Sequence, residues 1–328
     1  MSQIGVCVIG LGMGRGHANA YSARPDVDLY LCDLNRDRVR QAQGELDVKG
    51  TFASIGRALA SEKVQALDTA LPHHLHCPVA RKAAAAGKHF MTEKPMARSL
   101  READRMIEAA DKAGIVLMVG ENQRFMPTAV KAQELIRSGA LGDVFLVQVT
   151  ELWHAKPGGW RLVKKQMGGG NLIDSGIHAV DTLRLLGGEV VSVSSQNTRR
   201  VLLDLEGEDT NAALVGFAGG AMGMLATSWA VRHSAPNPHF AVFGTEGTCW
   251  AASGQLFLQS TKLPGYDKPA VYPTESLDTV AAECAHFVEC IQSGRSPIMS
   301  GLEGRRDLEV VLAAYKSAQT GRTVKLPL

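Results

Sequence analysis

Residues 4–17 read IGVCVIGLGMGRGH: six apolar residues in a row, a cluster of glycines, then the start of a helical pattern. An unbroken apolar run suits a strand buried on both faces, the setting of a parallel sheet covered by helices. The same grammar recurs. VDLYLCD (27–33), VQALDTAL (64–71), HFMTE (89–93) and IVLMVG (115–120) read as further strands. Between them lie helical stretches: about 16–23, then NRDRVRQAQGEL with Asn35 as N-cap, then LHCPVARKAAAAG stopped by Gly87. A fourth helix opens at a Ser99–Glu102 capping box and ends at Gly114. Strand–helix alternation of this kind predicts an α/β fold with a doubly wound parallel sheet.

After about residue 121 the pattern changes. TAVKAQELIRSG reads as a helix, DVFLVQVTELW (143–153) as a strand, and a glycine-rich stretch leads into another helix. Long β-rich runs follow, several joined through Gly pairs or T-E-G, which favour hairpins. Helices return at 278–293 and 303–320. The expectation is an α+β domain on a large, mostly antiparallel open sheet. With 328 residues the chain is long enough for two cores, so we divide it into a Rossmann-type domain, 1–121, and an α+β domain, 122–328.

Composition narrows the partners. The net charge of +2 gives no electrostatic case for nucleic acid, and no apolar run is long enough to span a bilayer. The opening MSQIGVCVIGLG lacks a charged leader and a cleavage site, and reads as the first strand. The six cysteines form no C-x-x-C pair; Cys7 and Cys32 read as small hydrophobes in a reducing, cytoplasmic compartment.

The glycine cluster sits where a dinucleotide loop should, after the first strand and opening a helix. Glycine there lets the backbone approach a pyrophosphate, whose charge the helix N-terminus favours. Gly10, Gly12, Met13 and Gly14 are the expected phosphate contacts, although Arg15 stands where G-x-G-x-x-G has its third glycine. Asp33 ends the second strand about 20 residues on, where an acid binds the adenosine ribose. Its charge would repel a 2′-phosphate, so NAD is expected; Arg36 and Arg38 keep NADP open. Pro72 and His73 close a strand at the edge where ligands gather in open α/β sheets, though His73 could equally cap the next helix.

Residues 168–181, GGGNLIDSGIHAVD, pose a different question. Asp174, His178 and Asp181 are spaced four and three apart, near one face of a helix. A metal site, a general base with helpers, and a buried polar cluster all fit that spacing. We rank the base first, the structural cluster second and the metal third. Imidazole titrates near neutrality and can take a hydroxyl proton while a hydride leaves carbon, and no metal is needed.

TALPHHLHCPVARKAAAAGKHFMTEKPMA (69–97), VGENQRFMP (119–127) and GGWRLVKKQMGGGNLIDSGIHAVDTLRLLG, in that order, resemble the glucose–fructose oxidoreductase/inositol dehydrogenase/MocA (Gfo/Idh/MocA) family over essentially the whole chain. The resemblance implies an NAD(P)-binding Rossmann domain followed by an α+β domain whose open sheet makes dimers or tetramers. It implies that Lys94, the lysine of E-K-P, lies near the nicotinamide and the reacting hydroxyl. It implies that Asp174 and His178 face the substrate, with His178 the general base. The shortened glycine loop is the one departure from the family's pattern, and it bears on the phosphate contacts.

Beside these, His76 of the H-L-H segment and Glu93 are assigned to the cofactor pocket. Asn122, Arg124, Trp160 and Arg161 are assigned to the substrate, with ordinary packing the competing reading for Trp160. His154 and Lys156 sit in a loop placed to set specificity. Asp181 is expected to position its helix or to bond to the Rossmann domain. The function expected is NAD-dependent oxidation of a secondary hydroxyl of a sugar, glycoside or cyclitol. The alternatives are a glycosidase that retains and recycles its NAD, and a non-enzymatic sugar-sensing regulator.

Overall fold

The structure is a computed structural model that describes residues 3–233 and 236–328; Met1 and Ser2, the start of the stretch read as a first strand, lie outside the described residues. The fold divides into two compact units. The first comprises Met1–Asn122 and Asp278–Arg305; the second comprises Gln123–Leu277 and Arg306–Leu328. Residues 278–305, which the linear boundary at 121/122 left in the second domain, belong to the first unit.

The first unit holds six strands: β1 (Ile4–Ile9), β2 (Val27–Cys32), β3 (Gly50–Thr51), β4 (Ala66–Thr69), β5 (His89–Glu93) and β6 (Leu117–Gly120). They pair in parallel in the order β3-β2-β1-β4-β5-β6, the doubly wound arrangement that the sequence predicted. All six residues of β1 are buried, as its unbroken apolar run requires. Its helices are α1 (Arg15–Ser22), α2 (Arg36–Glu45), α3 (Ile55–Leu59), α4 (His76–Ala85) and α5 (Leu100–Ala113). Asn35 caps α2 by accepting the Asp37 and Arg38 N–H groups. Ser99 accepts the Glu102 N–H at the start of α5, but the Glu102 carboxylate reaches back one residue further, to Arg98 N–H at 3.1 Å.

The second unit carries a nine-stranded sheet in the order β14-β13-β12-β11-β7-β10-β9-β8-β15. Its strands are β7 (Val144–Leu152), β8 (Val190–Thr198), β9 (Thr210–Phe217), β10 (Met222–Ser228), β11 (Phe240–Gly244), β12 (Gly247–Ala252), β13 (Gln255–Ser260), β14 (Ala270–Tyr272) and β15 (Val324–Lys325). Neighbours run antiparallel except β7 and β10, which are parallel. The hairpins fall where the glycine pair 219–220 and T-E-G 245–247 placed them. The helices are α6 (Pro127–Arg137), α7 (Lys164–Met167), α8 (Asn171–Asp174) and α9 (Gly176–Gly187). Two more follow: α10 (Thr279–Ser293), in the first unit, and α11 (Gly301–Thr320), which runs from the first unit into the second.

One face of the large sheet is covered by α9, against Val147, Leu225 and Val215, all buried. The other face leaves Leu214, Met222 and Met224 exposed. The buried Arg184 of α9 and Asp307 of α11 form an ion pair at 2.5 Å. Removing one partner strands the other charge out of water. Asp307→Ala should therefore cost the second unit about 3–5 kcal/mol, read as a lowered urea midpoint; an unchanged midpoint would show the pair to be dispensable.

Candidate active site

The carboxyl ends of β1 and β4 flank the point where strand order reverses, the usual crevice for a nucleotide in such a sheet. Gly10 has φ +91°, and a Cβ there would lie 2.4 Å from the Ala70 carbonyl oxygen. A Cβ on Gly14 would lie 2.5 Å from the Gly10 carbonyl oxygen. The turn itself therefore requires those two glycines. Gly12 differs: a Cβ would meet only the Arg38 guanidinium, at an ordinary 3.5 Å. The protein's own packing does not ask for glycine at 12, whereas a diphosphate lying against the backbone does. Asp33 accepts the Leu11 N–H at 2.5 Å and the Asn35 N–H at 2.7 Å, which fixes its carboxylate at the tip of β2 beside the loop. Met13 is exposed on that loop. These residues fit a dinucleotide.

Behind the loop lies a buried cluster that the sequence reading missed. His17, on α1, has Nδ1 2.9 Å from Asp68 and Nε2 3.3 Å from Glu93 and 3.5 Å from Glu283. Burial alone would depress the His17 pKa, but the Asp68 charge and the bonds to Asp68 and Glu93 outweigh it and push it well above the usual imidazole range. Burial pushes the Glu283 carboxyl well above the usual carboxylate range, with only part of that offset by His17. His17, Asp68 and Cys284 bring three ligand-type atoms within 4.8 Å of one another. The ion pair between His17 and Asp68 accounts for that proximity without an ion. The signal available in the sequence was the histidine closing GLGMGRGH, with Asp68 as an acid inside an apolar strand.

Glu93 ends β5, and its Oε2 accepts the Lys94 N–H at 3.2 Å. The Lys94–Pro95 peptide is cis. His73 is buried at the start of a single 3-10 turn, so its position follows Pro72 as expected. His76 departs from its assignment as a cofactor contact. It has no exposed surface, with Nδ1 2.9 Å from the Pro95 carbonyl and Nε2 2.8 Å from the Leu71 carbonyl. Both ring nitrogens are engaged by backbone, so His76 supports the site from within the core. Burial holds its pKa below the usual imidazole value, against the pull of those two carbonyls. Asn122, at the end of the first segment of this unit, donates to Thr279 Oγ1 at 2.8 Å.

In the second unit, Asp174, His178 and Asp181 do not share one uninterrupted helix. Asp174 ends α8, and Ser175 joins it to α9, which carries His178 and Asp181. Gly176 sits so close to β10 that a Cβ would lie 2.9 Å from Thr227 Oγ1, and the helix breaks next to that contact. Asp174 accepts from Arg161 Nε at 2.7 Å, and the Arg161 guanidinium lies 4.5 Å from the Trp160 ring centroid. Asp181 is paired with Arg124 of its own unit at 2.6 Å. Both arginines assigned to the substrate thus hold carboxylates. His154 makes a bridge with Ala230 beside β10.

Next to the α8–α9 joint, Ser175 donates to Glu151 Oε1 at 2.6 Å, and Trp153 Nε1 donates to Ser175 Oγ at 3.3 Å. Glu151, Trp153, Thr128 and His239 line a cavity of about 320 Å³, enough for one sugar ring. Burial lowers the His239 pKa; the Glu151 charge opposes that and His178 adds to it. Neither Glu151 nor His239 was singled out by sequence, since one acid on a strand and one histidine after a loop carry no spacing signal.

A parallel sheet with a dinucleotide loop, an E-K-P turn and a carboxylate–imidazole joint on a second unit define a nicotinamide-dependent oxidoreductase. Residues 4–121 match the model of the oxidoreductase family with an NAD-binding Rossmann fold, and residues 129–250 match the GFO/IDH/MocA C-terminal domain. The myo-inositol 2-dehydrogenase of Thermotoga maritima is 30% identical over 97% of this chain and 97% of its own. The NAD⁺-dependent scyllo-inositol 2-dehydrogenase of Bacillus subtilis is 29% identical over 99% of this chain and 96% of its own. A levoglucosan dehydrogenase solved with NADH and levoglucosan superposes with a TM-score of 0.90 at 26% identity, covering 100% of both chains. The chain belongs to the Gfo/Idh/MocA family.

The His17 cluster has a pH signature. Its folded pKa lies above the unfolded value of 6.5, so its contribution is complete below 6.5 and is lost as pH rises through the folded pKa. Glu283, also raised, acts in the same direction from 4.5 upward, because the folded state holds more protons than the unfolded chain. Unfolding free energy should therefore fall as pH rises above about 6.5, and His17→Gln should flatten that slope. A slope unchanged by His17→Gln in urea titrations at several pH values would exclude the charged imidazole.

Proposed function

We propose that the protein oxidises a secondary hydroxyl of a sugar, glycoside or cyclitol, with NAD as hydride acceptor. The observation that carries this reading is the pair Asp174 and His178 on either side of Ser175, whose hydroxyl bonds Glu151 in the wall of a cavity the size of one sugar ring. Relatives that act on inositols and levoglucosan support it. When bound, the nicotinamide supplies the acceptor for the hydride that leaves carbon. His178 takes the hydroxyl proton as the C=O bond forms. The Lys94 ammonium donates to the reacting oxygen and stabilises its developing charge. Asp174, oriented by Arg161, accepts from a neighbouring hydroxyl, which favours polyhydroxy substrates. Asp33 disfavours a 2′-phosphate, and so favours NAD over the NADP named for the Haloarcula marismortui D-xylose 1-dehydrogenase, a 26% identical relative. The described residues include no helix long and apolar enough to cross a membrane, and the six cysteines are buried and free, which suits a cytoplasmic enzyme.

Lys94→Ala and His178→Ala should each lower kcat about 10²- to 10⁴-fold while leaving NADH binding, read by fluorescence titration, within about twofold. Wild-type rates in both variants, on a panel of inositols, aldoses and anhydrosugars, would sink the assigned roles.

The exposed Leu214, Met222 and Met224 form an apolar stripe on the open face of the large sheet, and we assign that face to homodimer or homotetramer contacts. Light scattering of Met224→Lys should show a smaller species than the wild type. Equal masses would remove this face from the assembly.

A further inference from the structure

We propose that His76 is a positioning residue for Lys94: its imidazole, set between the Pro95 and Leu71 carbonyls with its one N–H given to one of them, fixes the lysine against the loop that closes β4. The inference rests on Lys94 being the residue that acts on the reacting oxygen.

Three observations converge on it. His76 is wholly buried, yet its ring lies within hydrogen-bond distance of two backbone carbonyls from segments far apart in sequence. One follows Lys94 directly; the other precedes Pro72 and His73, where β4 gives way to the edge expected to face the nicotinamide. The second observation is that the other side of Lys94 is also held, through its own N–H on Glu93 Oε2. Glu93 is in turn fixed by His17 at 3.3 Å. The lysine backbone is thus gripped on both sides of the side chain. The third is that Met96 and Ala97, just beyond, are fully buried, so the loop has no slack on its far side. The ring N–H has a carbonyl acceptor on whichever nitrogen carries it, as a buried polar group requires.

The consequence is specific. Without His76, the carbonyl that takes its ring N–H loses a buried donor, and the E-K-P turn loses the ring packed between it and the Leu71 loop. A displacement of Lys94 by about 1 Å can cost on the order of 10²-fold in rate. His76→Leu fills similar volume with no donor. His76→Gln keeps an N–H that reaches one carbonyl.

The test is a double-mutant cycle in the full-length protein with saturating NAD. His76→Leu should lower kcat about 10- to 100-fold in the wild-type background, with KM for NAD changed far less. In the Lys94→Ala background the same change should cost less than about threefold, because the residue it positions is gone. His76→Gln should recover part of the loss. A loss of the same factor in both backgrounds, or wild-type kcat in His76→Leu, overturns the proposal. If Lys94→Ala alone leaves turnover intact, the catalytic reading of Lys94 falls instead. The brace is then decided by hydrogen–deuterium exchange of holoenzyme: faster exchange at the Lys94 and Leu71 amides in His76→Gln supports it, and unchanged exchange overturns it.

Discussion

The first unit is organised around a charge taken out of water. His17 lies beneath the nucleotide loop with Asp68 on one ring nitrogen and Glu93 and Glu283 on the other. An isolated buried imidazolium would be prohibitive, and so would the Asp68 carboxylate without it, while burial pushes the Glu283 carboxyl up. The cluster links α1, which opens at the glycine loop, to β4, to the end of β5 and to α10. That explains why residues 278–305 belong with the first unit: α10 packs on α1 and brings Glu283 to the cluster. A linear boundary could not anticipate this, because the packing partner returns to the sheet more than 150 residues after the chain leaves it.

The second unit handles charge differently. Three of its buried carboxylates meet arginines: Asp174 with Arg161, Asp181 with Arg124, Asp307 with Arg184. A guanidinium is always charged and holds a carboxylate in a defined plane. All three acids are buried, each held by an arginine from a different segment of the unit.

Much of this was legible in the residues. Unbroken apolar runs identified the buried parallel strands, and Gly pairs located the hairpins, because both signals are local. Asn35 and Gly114 marked helix ends for the same reason. The helix break at Ser175 was not legible: it depends on the closeness of Gly176 to Thr227, a contact between segments about 50 residues apart. His76 was misassigned for a related reason. Sequence placed it beside a strand end, but only the fold shows that its ring is turned into the core, onto two carbonyls. His17, Glu151 and His239 carried no distinctive spacing, and their significance is wholly a matter of which distant groups they meet.

The large sheet has one parallel pair, β7 and β10, among otherwise antiparallel neighbours. Parallel strands cannot be joined by a tight turn; the chain must travel from the end of one back to the start of the other. In this protein the journey runs from 153 to 221 and includes α7, α8 and α9. Asp174 and His178 ride on that return path. Their helices are therefore the connection that the strand order itself demands, not an ornament added to a finished sheet. A chain keeping this strand order must keep some such passage over the sheet. The geometry thus reserves a platform for chemistry before any particular side chain is chosen to stand on it.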